Sequence, residues 1–126
     1  MQGLVLSAPA QVSALLSRID ELGIRLTITN VSDSEVSLLF DSAMRTYRVL
    51  AYDSSGNQVP SHSWAPLVKS STGLLGLAVG ASRCETIRVS RFAKFERAGT
   101  YRLAVIRTLR GGSILSSNLI ELTVTE

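Results

Sequence analysis

The sequence predicts an all-β sandwich of about seven strands, and three observations carry that expectation. Apolar and polar residues alternate with a period of two along most of the chain. Clusters of turn-forming residues, such as Asn30-Val31-Ser32-Asp33-Ser34 and Asp53-Ser54-Ser55-Gly56-Asn57, interrupt the alternation at short intervals. The length of 126 residues suits a single domain over 1–126 with a core of its own.

From Leu22 to Asn30, Leu22, Ile24, Leu26 and Ile28 fall on one face, while Arg25, Thr27 and Thr29 fall on the other. That is a half-buried strand. Glu35 to Phe40 is a second apolar-rich strand. Thr46 to Asp53 alternates again, with Tyr47, Val49 and Ala51 opposed to Arg48, Leu50 and Tyr52. Val59 to Ser82 contains Pro60, Pro66, Gly73, Gly76 and Gly80 and reads as an extended crossover between sheets. Ile87 and Val89 share a face in the next strand, and Tyr101, Leu103 and Val105 in the one after it. Arg110-Gly111-Gly112-Ser113 is a hairpin connection. The last strand runs from Ile114 to Thr125, with Ile120, Leu122 and Val124 inward and Glu121 and Thr123 outward.

One segment departs from this pattern. Val12, Leu15, Leu16 and Ile19 recur at helical spacing between Ser7, which suits an N-cap, and Gly23, which suits a C-terminal stop. A short N-terminal helix is therefore one reading. An edge strand over Leu4 to Val12, followed by an early start to the next strand, is the other.

The number and spacing of the strands are those of an immunoglobulin-like β-sandwich. Leu26-Thr27-Ile28-Thr29-Asn30-Val31-Ser32-Asp33 followed by Val36-Ser37-Leu38-Leu39-Phe40 resembles the opening of bacterial immunoglobulin-like domains. Tyr52-Asp53-Ser54-Ser55-Gly56-Asn57-Gln58-Val59 followed by Trp64 is similar to the intracellular proteinase inhibitor family of bacilli. Leu77-Ala78-Val79-Gly80-Ala81-Ser82 and Ala98-Gly99-Thr100-Tyr101-Arg102-Leu103 resemble turn and strand-entry motifs of the same group, with Val79 where the family has Pro and Ala81 where it has Glu. The resemblance spans Leu22 to Thr125. It implies a non-enzymatic domain that binds protein, either as an interaction module of an exported protein or as a proteinase inhibitor presenting a loop from residues 59–76 to a protease cleft. Trp64, His62 and Leu67 are the candidate partner contacts in that loop.

Function classes are narrowed further by composition. The net charge of +3, from 13 basic and 10 acidic residues, is mild, and the charges are scattered, so a nucleic-acid partner is not expected. No apolar run approaches the roughly 18 residues that cross a bilayer, so no membrane insertion is expected. Cys84 and His62 are the only residues of their kinds. An enzyme built on them needs both within hydrogen-bonding reach, and one of each does not make a zinc site; no catalytic residue, metal or cofactor is expected. The start of the chain, Met-Gln-Gly-Leu-Val-Leu, lacks the features of a signal peptide. With a leader removed the compartment is periplasmic or extracellular, and otherwise cytoplasmic.

Four residues have structural expectations of their own. Tyr101, just after Gly99, suits a tyrosine corner. Phe92 and Phe95 suit a plug at one end of the sandwich, with Arg91, Lys94, Glu96 and Arg97 in solvent. Cys84 shares an outer face with Thr86 and Arg88.

Overall fold

The computed structural model describes residues 3–40, 47–60, 73–109 and 114–126. The all-β sandwich expected from the alternation is present. Strands β1 (Leu4–Ser7), β3 (Gly23–Asn30) and β7 (Ser82–Arg88) form one antiparallel sheet in the order β1-β3-β7. Strands β2 (Gln11–Leu15), β10 (Ile120–Thr125), β8 (Gly99–Thr108) and β5 (Tyr47–Tyr52) form the other, with β9 (Ile114–Ser116) also paired to β8. β4 (Val36–Phe40) and β6 (Gly73–Leu77) make a two-stranded ribbon.

The inward positions are those that period-two spacing predicts. Ile24, Leu26 and Ile28 are fully buried, and so are Leu103, Val105, Ile120 and Leu122 of the other sheet; all belong to one apolar cluster. Burying each such side chain stabilises the fold by roughly 1.5–3 kcal/mol. A one-residue slip in β3 would expose the whole set.

The N-terminal segment is not the single helix that its spacing allowed. β1 pairs with β3, Pro9 follows, and β2 then pairs in parallel with β10 in the opposite sheet. Only Leu16–Glu21 is helical, as a short 3-10 stretch. Proline has no N–H to donate to a ladder, so the chain leaves one sheet and joins the other at that point. Val12, Leu16, Ile19 and Leu22 still pack against the core from partly buried positions. The helical spacing therefore reflects a strand and a 3-10 turn touching one core.

The expected last strand is also split, into β9 and β10. At the break, the Ser117 hydroxyl accepts from the Val105 amide at 3.0 Å while the Ser117 amide donates to the Val105 carbonyl at 2.8 Å. Asn118 turns its carboxamide onto Ala8: its Oδ1 accepts from the Ala8 amide at 2.9 Å and its Nδ2 donates to the Ala8 carbonyl at 3.1 Å. One side chain thus replaces a missing pair of ladder bonds where the chain changes sheets.

A second asparagine stitches the joint between the β3–β7 ladder and the β4–β6 ribbon. Asn30 is fully buried. Its Nδ2 donates to the carbonyls of Ser34 (2.9 Å) and Leu77 (2.8 Å), and its Oδ1 accepts from the amide and hydroxyl of Ser32 (2.9 and 2.6 Å). Its backbone bonds Ala81 and Gly80. Gly80 has φ +74°, a conformation that side chains with a Cβ adopt poorly.

The far end is closed as expected. Phe92 and Phe95 are buried, and the Phe95 ring meets Tyr101 edge-on at 5.0 Å. The Tyr101 hydroxyl donates to the Arg97 carbonyl at 2.7 Å, which is the tyrosine corner. Arg91, Lys94, Glu96 and Arg97 are exposed.

Candidate functional site

Trp64, His62 and Leu67, the partner contacts expected from the sequence, lie outside the described residues, as does most of the 59–76 segment. Three other places draw polar or apolar groups together in ways that ordinary packing does not require.

The first is inside the sandwich. Alternation puts Arg107 on the inward face of β8, and it is only 2% exposed. Its Nε donates to the Tyr47 hydroxyl at 3.3 Å and stands 3.6 Å from Glu85 Oε1, and its guanidinium carbon lies 5.4 Å from the centre of the Tyr47 ring. Tyr47 in turn donates to Glu85 Oε1 at 2.7 Å. Burial, and then the neighbouring Glu85 carboxylate, push the Tyr47 phenol well above its usual range. The group is closed to solvent on the Arg107 and Tyr47 sides, so its role is to hold two sheets in register.

The second is Cys84, which is exposed on the outer face of β7 as its position in the alternation predicts. Across the ladder, Thr27 Oγ1 lies 3.6 Å from its sulfur, and Arg25 Nη2 donates to that sulfur at 3.4 Å. These two bonds, Thr27 before Arg25, hold the thiol below its usual range.

The third is a groove of about 430 Å³ on the outer face of the β5-β8-β10 sheet. Strand register builds it in rows. Leu50 of β5 faces Ala104 of β8, and Leu119, just before β10, lies beside Ala104 on the other side. The small Ala104 forms the floor and the two leucines the walls. In the next row Tyr52, Arg102 and Glu121 lie across the same strands. The Asp53–Gly56 turn closes one end, held by Asp53 Oδ1, which accepts from the amides of Ser55 and Asn57 at 2.9 Å each.

A solvated sheet face normally alternates to polar residues. Here Leu119 is 67% exposed, Ile114 45% and Tyr52 40%, all on or beside this face. The sequence placed Glu121 outward and set Leu50 and Tyr52 on the face opposite Tyr47, Val49 and Ala51. It missed the groove because the groove's members come from three strands that are distant in the chain. The one available signal was leucine and tyrosine at wet positions of β5.

No protein-family model matches the chain, and no curated protein matches it. Among the described residues, no helix is long and apolar enough to cross a membrane, and no group of three or more His, Cys, Asp and Glu residues is placed to hold a metal ion.

Proposed function

We propose that this domain is a non-catalytic protein-interaction module that binds through the outer face of its β5-β8-β10 sheet. The observation that carries the reading is the apolar row Leu50–Ala104–Leu119, concave at its centre and open to solvent. Apolar side chains gathered round a concavity on a solvated face are the kind of feature at which partners dock. Strands β5 and β8 hold Leu50 and Ala104, and Leu119 is the residue directly before β10, so little conformational entropy is lost when a partner docks.

A photo-crosslinking residue at Leu119, compared with one at exposed Thr86 on the opposite sheet, tests this in living cells. Protein adducts from position 119 and not from 86 are expected. Equal yields at both positions, or adducts only at 86, overturn the reading. The resemblance to the inhibitor family implies a protease as one class of partner. Titration against serine, cysteine and metalloproteases tests that class; inhibition insensitive to Leu119→Asp would move the contact to residues 59–76.

A further inference from the structure

We infer that the occupant of this groove is a second copy of the chain, a step that rests on the reading of this face as the contact surface. A two-fold contact uses one patch twice, so the patch must complement itself. This patch has both halves of such a contact. Leu119 protrudes, 67% exposed, directly beside the depression floored by Ala104. Leu119 of the partner subunit supplies an apolar knob for that depression, and each copy gives one knob and receives one.

Charge on the face has the same property. Arg102 and Glu121 are register partners on adjacent strands and both line the groove. Among the described residues they form no ion pair with each other. A face built for an anionic or a cationic ligand would carry one sign. This face carries one of each side by side, so two copies can set Arg102 against the partner's Glu121 twice over.

The size of the contact sets its strength. Three strands about 4.8 Å apart over about 20 Å give on the order of 300 Å² per copy. That is below the roughly 800 Å² per partner of a standard stable complex. The association is therefore weak and concentration-dependent, and each added contact at the rim matters.

Analytical ultracentrifugation of the purified full chain from micromolar to millimolar concentration tests the inference. The weight-average mass is expected to climb from monomer toward dimer. Leu119→Asp should remain monomeric throughout with an unchanged melting temperature, because the side chain is exposed. Arg102→Glu and Glu121→Arg should each weaken the dimer about tenfold, since each places like charges together twice. Mixing these two variants in equal amounts should restore association to within about threefold of the original, because each cross-contact then regains an opposite pair. A chain that stays monomeric at millimolar concentration overturns the inference. So does a dimer indifferent to all three substitutions, or a mixture no tighter than its components. Crosslinking at position 119 to a different protein, with the pure chain monomeric, would leave the contact face standing and remove only self-docking.

Discussion

The Tyr47 hydroxyl reaches across the sandwich to Glu85 Oε1 at 2.7 Å, joining β5 of one sheet to β7 of the other. Arg107 completes the contact from β8. Glu85→Ala removes the carboxylate beside Arg107, which keeps its bonds to the Tyr47 hydroxyl and the Thr108 carbonyl in a site only 2% exposed, and the expected loss is about 2–3 kcal/mol of stability in urea unfolding. Replacing the pair together, Glu85→Leu with Arg107→Met, should recover most of that loss, because a packed apolar pair needs no counter-charge. A double variant as unstable as Glu85→Ala would show that the ion pair is not the cause.

Alkaline stability follows from the same phenol. The Tyr47 pKa is raised in the folded protein, so the unfolded chain releases this proton first as pH climbs. Below the unfolded value of about 10 the contribution is complete, and it is lost progressively as pH rises above it. Tyr47→Phe removes a group that titrates only after unfolding. Its melting temperature should therefore fall less than that of the original protein between neutral pH and strongly alkaline pH. Parallel declines in the two proteins would disprove the link.

Asn30→Ala leaves the buried carbonyl of Leu77 without its donor and frees the β3–β4 turn. The expected cost is about 2–3 kcal/mol. Asn30→Asp is the sharper test, because an ionised carboxylate would face two carbonyls where Nδ2 donated. It should be at least as destabilising as Ala at neutral pH and partly recover on acidification, as the protonated carboxyl regains one donor. Thermal melts at the two pH values decide it.

Cys84 should react with iodoacetamide at a lower pH than a free cysteine, because Thr27 and Arg25 stabilise its thiolate. Arg25→Ala and Thr27→Val should each move the alkylation profile toward higher pH without unfolding the domain. A profile matching free cysteine in the original protein would show that those bonds do not persist in solution.

Much of the fold was legible because burial in a sheet repeats every second residue. Ile24, Leu26 and Ile28, and their counterparts Leu103, Val105 and Leu122, are inward as their spacing requires. Tyr101 and the Phe92–Phe95 plug were legible because turn chemistry is local. What failed was non-local. Arg107 occupies an inward position that alternation would fill with an apolar residue, and its partners lie 60 and 22 residues away. The β9–β10 break falls at the polar Ser116-Ser117-Asn118, which a single strand from Ile114 to Thr125 runs straight through; that Asn118 would bond Ala8, 110 residues away, is not encoded locally. The groove is assembled from register, which no single strand encodes. The candidate contacts Trp64, His62 and Leu67 fall outside the described residues.

The parallel pairing of β2 with β10 bears on how the domain carries load. Tension applied between the chain ahead of β2 and the chain beyond β10 pulls these two strands past each other along their length. The five register pairs from Gln11–Glu121 to Leu15–Thr125 then share the force at once instead of unzipping one by one. Placed in series between tethered neighbours, the domain would act as a stiff link whose rupture force depends on this short ladder and on the Asn118 clasp behind it.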